Sequence, residues 1–385
     1  MSRAAPKYMS SFQCVGGACE ETCCADFHVD IDRRTFDRYA AVDDPPALAE
    51  KLKTLVRRVQ TPTPTLHARI AMTASGECPF LDAHRLCSIQ GALGEGALSE
   101  TCRAFPRAEW SRDGLGYLGG KLSCPEAARL CVASPDAMDM PAPGGAPRSA
   151  REVVHAATLE MVRDPAVPVW KAILLAGVLA QDLSLDDSGP PIAAEDAAAH
   201  AVLTRAQIVQ TPYALGDQAA LQLKLLIETV LAASAKCNAA RNRFPHLAQT
   251  ALGAIFDGAD DFEGATVNYR RLHREGFEVF DRAHGHALRN YVLNYLFTNQ
   301  SFLSGPAFAQ VQNLAVRYAV MRLLLTGLSG LRPDGLTLAD CAAVVSSASR
   351  ILDHDASISP QICAALDAVE PRSISLAARI VIPPL

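Results

Sequence analysis

The sequence lacks any long, uninterrupted apolar run. Its two longest apolar stretches are Ile173–Ala180 and the region around Ala315–Leu328. Arg317 and Arg322 interrupt the second stretch. Neither stretch reaches the roughly 18–20 consecutive apolar residues that span a bilayer, and residues 1–12 contain no apolar core of a signal peptide. The sequence therefore predicts a cytoplasmic protein without membrane association.

A surplus of positive charge is also missing. Lys and Arg number 36 against 41 Asp and Glu, which gives a formal net charge of -5. This balance gives no reason to expect a nucleic-acid-binding protein. Hydrophobic residues make up 49% and charged residues 20%, which is typical of a globular protein and excludes a disordered one. At 385 residues the chain exceeds the usual size of one hydrophobic core, so two domains are expected.

Cysteine, in contrast, is concentrated in one part of the chain. Nine of the twelve cysteines lie within residues 1–131, and eight of those nine form a spaced pattern. Because glutathione keeps cytoplasmic thiols reduced, such a cluster indicates metal ligands rather than disulfides. The eight candidate ligands are Cys14, Cys19, Cys23, Cys24, Cys78, Cys87, Cys102 and Cys124.

The spacing alone does not decide which metal these cysteines hold. Zinc ribbons favour C-x2-C pairs, and the pattern contains none. The C-x3-C-x2-C motif of radical SAM enzymes also fails, because Asp26 stands where a third cysteine should follow Cys19 and Cys23. Irregular spacing of many thiolates favours an iron–sulfur cluster, with zinc as the alternative metal. A redox dithiol and small apolar packing residues are two further hypotheses.

Neighbouring residues refine the metal hypothesis. The adjacent Cys23 and Cys24 side chains should diverge in an extended backbone, so we expect them not to share one ion. Three histidines close in sequence are additional, weaker candidates for ligands: His28, His67 and His84. The remaining four cysteines are predicted to pack in a core: Cys131, Cys237, Cys341 and Cys363.

The composition changes at residues 132–150, which contain four Pro and two Gly. Such a segment is typical of a linker. We therefore predict a small, irregular cysteine-rich domain at residues 1–131 that binds metal, and an irregular all-α domain at residues 151–385. The predicted fold class is mostly α.

Local patterns predict the individual elements. Helices are expected over Asp30–Tyr39, capped by Asp32, and over Leu48–Val59. The segment Glu109–Leu118 predicts a hairpin that turns at Asp113-Gly114. After the linker, apolar residues recur at helical spacing over Ala150–Val162, Val169–Leu183, Ala194–Ile208, Asp217–Ser234, Ala265–Ala283, Ala287–Thr298, Ala307–Leu328, Leu338–Leu352 and Ile358–Leu366.

Three weaker patterns are candidates for ligand binding. Gly114–Gly119 matches G-x-G-x-x-G, but no apolar strand precedes it, so a hairpin turn is the better interpretation. The i,i+4 pairs Asn290/Asn294 and Tyr291/Tyr295 form a polar and aromatic stripe that suits an adenine ring or a lysine side chain. Packing of the tyrosines and hydrogen bonds from the asparagines to neighbouring loops are the favoured interpretation of that stripe. Arg103 and Arg107 flank Cys102-x2-Phe-Pro, where they suit a carboxylate or the negative charge of a thiolate cluster.

The cysteine motifs and two helical motifs resemble one known family, the flagellin lysine-N-methylases or FliB family. The cysteine region is also similar to a broader, YkgJ-like cysteine-cluster domain. The motifs that carry the resemblance are Tyr8–Cys24, Cys78-Pro-Phe-Leu81, Leu86–Gln90, Leu93–Cys102, Phe105-Pro-Arg107, Leu122–Ala127, Arg289–Tyr295 and Ser349–His354.

The resemblance implies a protein-lysine N-methyltransferase. It implies an iron–sulfur cluster of the 4Fe–4S type, S-adenosylmethionine (SAM) as methyl donor, and flagellin as the protein substrate. On this basis the candidate cofactor-binding residues are Arg103, Arg107, Asn290, Tyr291 and Asn294. The alternative hypothesis is a non-enzymatic iron- or zinc-binding module whose helical half binds a partner.

Overall fold

A computed structural model describes residues 3–25, 28–140, 145–186, 192–237, 242–299, 301–353, 364 and 374–384. Helices dominate these residues, so the predicted mostly α class is confirmed. The helices before residue 133 are α1 (Lys7–Ser10), α2 (Arg33–Ala40), α3 (Pro46–Leu55), α4 (Ser88–Leu93), α5 (Glu100–Ala104) and α6 (Pro125–Val132). The strands are β1 (Asp30–Ile31), β2 (Val56–Arg58), β3 (Ala68–Ile70), β4 (Arg107–Arg112) and β5 (Leu115–Gly120).

Most of the later helices follow the predicted segments closely, whereas α11, α15 and α18 were not predicted. They are α7 (Ala150–Arg163), α8 (Val169–Asp182), α9 (Ala194–Gln210), α10 (Ala219–Ala235), α11 (Arg243–Phe256), α12 (Phe262–Leu272), α13 (Glu278–His284), α14 (His286–Thr298), α15 (Ser301–Ser304), α16 (Ala307–Ser329), α17 (Leu338–Leu352) and α18 (Ile374–Val381). The predicted helix Ile358–Leu366 lies outside the described residues, apart from residue 364.

Contacts divide the chain into two compact units. The cysteine-rich unit comprises residues 13–108 and 124–126, and the helical unit comprises residues 1–12, 109–123 and 127–385. The boundaries between these units, after residues 12, 108, 123 and 126, all lie outside the segment 132–150. The division of the chain into domains at that segment stays a prediction.

Three element predictions need correction. The helix predicted over Leu48–Val59 ends at Leu55, because Val56–Arg58 pairs with β3 as an edge strand. The helix predicted over Ala265–Ala283 is interrupted by a π-helical turn at His273–Phe277. The helix predicted over Asp30–Tyr39 begins at Arg33, because Asp30–Ile31 pairs with β3 as a strand. Helix α11 was not predicted. Pro245 lies in the first turn, where a missing N–H costs nothing.

Helix α16 forms the centre of the helical unit. It packs against α8, α11, α17 and α18, and apolar residues cover its whole circumference. A Cβ on Gly327 would lie 2.2 Å from the carbonyl oxygen of Ala251, so this glycine permits the close approach of α11. Arg322 is buried here, and its guanidinium donates to the carbonyls of Ile380 and Ile382 at the end of α18.

None of the helices within the described residues combines the length and the apolar character that crossing a membrane requires.

Candidate metal centre

The cysteine-rich unit is built on a small antiparallel sheet with strand order β1-β3-β2. Ile31 on β1 and Ala68 on β3 are fully buried, and they belong to the same apolar cluster as Phe80. Four of the eight predicted ligands pack against or belong to this cluster: Cys24, Cys78, Cys87 and Cys102. The sheet and its core therefore bring together cysteines that lie up to 78 residues apart in sequence (102 minus 24).

The first two cysteines flank a short 3-10 helix at Gly16–Ala18. This segment lies directly against the loop around His84, because a Cβ on Gly17 would be 2.6 Å from the carbonyl oxygen of His84. Arg85 also donates to the carbonyl of Cys19 at 3.3 Å. Cys14 is exposed and Cys19 is half-buried. Gly17 therefore lets the segment between Cys14 and Cys19 pack against the loop that precedes Cys87.

Backbone pairing joins the Cys23-Cys24 pair to Cys78. The amide of Cys78 donates to the carbonyl of Cys24 at 2.8 Å, next to an isolated bridge between Ala25 and Glu77. The Cys23 and Cys24 thiols lie close enough to interact with each other. The two residues lie in a turn and not in the extended backbone for which divergence is expected, and whether they share one ion stays a prediction.

A tight loop positions Cys87. Asp82 Oδ1 accepts hydrogen bonds from the amides of His84 at 2.8 Å and Leu86 at 2.9 Å. Leu81 and Cys87 then face each other across an antiparallel bridge, and Cys87 becomes the N-cap residue of α4. The aspartate turn therefore places Cys87 next to the apolar cluster that contains Cys78.

Helix α5 carries Cys102 and begins at a serine cap. Ser99 Oγ accepts a hydrogen bond from the amide of Cys102 at 3.3 Å. Arg103 points into solvent and forms an ion pair with Glu100 of the same helix, and Arg107 is exposed at the start of β4. Cys124 is half-buried and belongs to the cysteine-rich unit. The assignment of both arginines to cofactor binding stays a prediction.

Burial and mutual repulsion raise the pKa of several of the clustered thiols. A hydrogen bond with Cys23, together with burial, raises the pKa of the Cys24 thiol strongly. Burial and the neighbouring Cys102, Cys87 and Cys23 raise the pKa of Cys78 to about 12. Burial likewise raises the pKa of Cys102 to about 11. A bound cation would offset this repulsion, because thiolate ligands lose their protons to a metal.

The donor set fits a thiolate-bound metal by its chemistry. Thiolates are soft ligands, so a group of cysteines favours zinc or an iron–sulfur cluster. Within the described residues, no three or more His, Cys, Asp or Glu side chains adopt an arrangement that could hold a metal ion. Metal binding would therefore require the clustered thiols to rotate towards one another.

The nearby histidines differ in environment. His28 and His84 are exposed. His67 is buried at 4% exposure, packs edge-on against Phe36 at 5.0 Å, and its Nε2 has no hydrogen-bond partner among the described residues. His67 thus lies in the core of the cysteine-rich unit.

The polar stripe on α14 lies in the core of the helical unit. Asn290 donates to the carbonyls of Cys131 and Ser134 at 2.9 and 2.8 Å. Asn294 donates to the carbonyl of Gly120 at 2.9 Å and accepts from the Tyr8 hydroxyl at 2.6 Å. Tyr291, the third candidate on this helix, is 2% exposed. These contacts are those of packing residues, and cofactor binding by the stripe stays a prediction.

The residues of the glycine motif form a turn and a close packing contact, and two of the four scattered cysteines are fully buried. Asp113 and Gly114 both have positive φ at the predicted hairpin turn. A Cβ on Gly119 would lie 2.4 Å from Thr298 Cγ2, so this glycine lets β5 approach α14. Cys131 and Cys341 are fully buried as predicted, Cys237 is half-buried, and Cys363 lies outside the described residues.

Comparison with known proteins identifies the class and then the family. The chain combines a helical unit with a separate unit in which thiols converge. The family model described as the FliB lysine N-methylase C-terminal domain matches residues 155–378. The chain therefore belongs to the FliB lysine N-methylase family, and the resemblance found in the sequence is confirmed.

Curated relatives from Salmonella match a shorter stretch. The flagellar biosynthetic protein FliU of Salmonella muenchen is 33% identical over 135 residues, which cover 34% of this chain and 78% of that protein. The lysine-N-methylase of Salmonella typhimurium is 33% identical over 135 residues, which cover 34% of this chain and 33% of that protein. The matched stretch thus spans about a third of the length of that lysine-N-methylase. No solved structure matches.

Proposed function

We propose that this protein is a lysine N-methyltransferase that acts on flagellin. Its membership of the FliB lysine N-methylase family carries the proposal. The names of two relatives, a lysine-N-methylase and a flagellar biosynthetic protein, support the reaction and the substrate respectively.

The reaction moves a methyl group from the sulfonium of SAM to a lysine amine. The lone pair of the neutral amine forms the new N–C bond while the S–C bond breaks, and S-adenosylhomocysteine leaves. The proton of the product ammonium passes to a base or to water. The chain must therefore hold the amine in line with the sulfonium methyl and desolvate it.

The cysteine-rich unit supplies the ligands for a bound metal in this proposal. Cys24, Cys78, Cys87 and Cys102 would hold an iron–sulfur cluster, with zinc as the alternative, because they share one apolar cluster. Cys14, Cys19, Cys23 and Cys124 provide further thiols for the same site or a second one. When bound, the metal supplies positive charge that holds the thiolates together and orders the unit.

The metal is tested on protein purified without oxygen. We expect a brown sample that contains iron and acid-labile sulfide in comparable amounts. The Cys78→Ser variant should lose this metal, because Cys78 is buried within the cluster. The Cys237→Ser variant is the matched control, since Cys237 lies in the helical unit. A colourless protein that contains zinc would show that the site binds zinc and not an iron–sulfur cluster.

Methyl transfer is tested by mass spectrometry of purified flagellin incubated with SAM and the holoprotein. We expect lysine-containing peptides to gain the mass of one or more methyl groups, and no gain without SAM. Unmodified flagellin after full metal loading would contradict the proposal.

One observation favours a second candidate, the non-enzymatic metal-binding module. The α14 asparagines donate to backbone carbonyls in the core, as packing residues do. Calorimetric titration of the holoprotein with SAM separates the two functions. Saturable binding favours the methyltransferase, whereas no binding favours the module.

A further inference from the structure

An open groove runs along helices α7 and α9 of the helical unit, which pack against each other. Its volume is about 750 Å³. Small and apolar side chains form its floor and walls, and carboxylates lie among them. Residues that line it include Ala156 and Glu160 of α7, and Glu195, Ala198, Val202 and Val209 of α9. We call this feature the α7–α9 groove.

Helix α9 has two adjacent apolar stripes, and the core covers one of them. Its buried residues Ala197, Ala201 and Ile208 recur at helical spacing and face the interior. The second stripe includes Val202 and Val209, which are 69% and 41% exposed. An amphipathic surface helix needs only the first stripe, so the second stripe is surplus to the fold and suits a partner.

The groove is acidic as well as apolar. Among its described lining residues, the carboxylates of Glu160, Asp164 and Glu195 accompany one guanidinium, Arg205. Arg205 is held between the first two, at 2.7 Å from Glu160 and 3.3 Å from Asp164. The net charge of the groove is therefore negative. Glu195 lies at the start of α9, whereas Arg205 lies in its second half.

We propose that the α7–α9 groove is the docking surface for a lysine-bearing amphipathic helix of the protein substrate. This inference rests on the proposed function for the identity of the partner. Charge complementarity carries the choice of occupant, since lysine ammonium groups match the carboxylates while lysine methylenes lie along the apolar floor. The alanines of the groove let a helix backbone approach α7 and α9 closely. The docked lysines orient the substrate and differ from the lysine that reacts.

The test uses full-length holoprotein and a synthetic peptide of about 18 residues, which makes about five helical turns. The peptide carries leucines on one face and lysines on both flanks. A second peptide has glutamates in place of the lysines. Binding is measured by fluorescence anisotropy. We expect the lysine peptide to bind and the glutamate peptide not to bind.

Two pairs of variants locate the binding. Val202→Asp should weaken binding of the lysine peptide about tenfold or more, because it places a carboxylate in the apolar contact. Leu203→Asp is the matched control, since Leu203 is 65% exposed on the same helix but does not line the groove. Glu195→Lys should weaken binding by about tenfold at low salt, and less at high salt. Asp196→Lys makes the same change of charge one residue outside the groove lining.

The inference is overturned if the unmodified protein does not bind the lysine peptide. It is equally overturned if each control variant weakens binding as much as the groove variant with which it is paired. It is also overturned if Val202→Asp abolishes self-association in sedimentation analysis, because a second copy of the chain would then cover the groove. Methylation of flagellin is measured separately. If the unmodified protein does not methylate flagellin, the proposed function is wrong. The peptide-binding result would still show whether the groove binds a lysine-bearing helix.

Discussion

Buried side-chain amides join distant parts of the helical unit at single residues. Asn294 connects α14 to Gly120 on β5 and to Tyr8 on α1, which lie 174 and 286 residues away in sequence. A buried amide that meets backbone and hydroxyl partners stabilises a fold mainly because leaving those partners unpaired is costly. Asn290 acts similarly on the carbonyls of Cys131 within α6 and of Ser134 after it.

At the residue scale, we expect Asn294→Ala to lower the free energy of unfolding by about 3 kcal/mol, because it leaves the Gly120 carbonyl and the Tyr8 hydroxyl without this partner in the core. Urea denaturation followed by circular dichroism measures the change. Asn268→Ala is the control, since Asn268 also donates to two carbonyls but is half-buried. Loss of SAM binding without loss of stability would instead support a cofactor role for Asn294.

Helix termini determine where the elements begin. Asp32 caps α2, as the sequence predicts, by accepting from the amide of Thr35 at 2.8 Å. Helix α17 begins with a reciprocal capping box, in which Thr337 and Asp340 each bond the other's backbone amide. Arg332 adds a charged hydrogen bond to Asp340 at 2.8 Å.

At the scale of the element, α17 should lose stability in acid. Partial burial acts to raise the pKa of Asp340, but hydrogen bonds from Arg332 and Thr337 outweigh it and lower that pKa. The stabilisation by this carboxylate is therefore present above its unfolded pKa, near 4, and is lost as pH falls through the lower folded value. We expect Asp340→Asn to cost about 1 kcal/mol at neutral pH and much less once the pH has fallen below the lowered folded pKa of Asp340.

Denaturation of both proteins at several pH values checks this expectation. Asp334→Asn is the control, because Asp334 is exposed in the preceding loop, and its cost should stay within about 0.5 kcal/mol. An equal cost of Asp340→Asn at acidic and neutral pH would show that charge plays no part in the cap.

The two units of the whole molecule have cores of different kinds. The helical unit surrounds α16, which is buried over most of its 23 residues. The sheet of the cysteine-rich unit has strands of two and three residues. Short strands with a small apolar core give little stability without a further constraint such as a metal.

At the scale of the molecule, removal of the metal should loosen the cysteine-rich unit selectively. We expect amides near Ile31, Ile70 and Cys78 to exchange faster after anaerobic chelation, while those of α16 stay protected. Hydrogen exchange followed by mass spectrometry measures both regions in one sample. Cys78→Ser without chelator should give the same pattern. Equal exchange before and after chelation would contradict a stabilising metal.

Local sequence determined much of this protein. Helical periodicity predicted most helices from α7 to α17, and Asp113-Gly114 predicted the hairpin turn, because such patterns act over one or two turns of chain. Cysteine spacing predicted the candidate ligands and carried the family resemblance, which the match over residues 155–378 confirms.

Tertiary structure decided what those residues contact. The sequence left the polar stripe of α14 open between ligand binding and packing, and its partners on α1 and β5 come from remote segments. The convergence of Cys24, Cys78, Cys87 and Cys102 depends on sheet pairing between β1, β2 and β3, which two- and three-residue strands do not signal locally. The α7–α9 groove likewise exists only once the core has covered one stripe of α9 and left the other exposed. Local pattern fixes the elements, whereas long-range packing selects which side chains remain available for chemistry and binding.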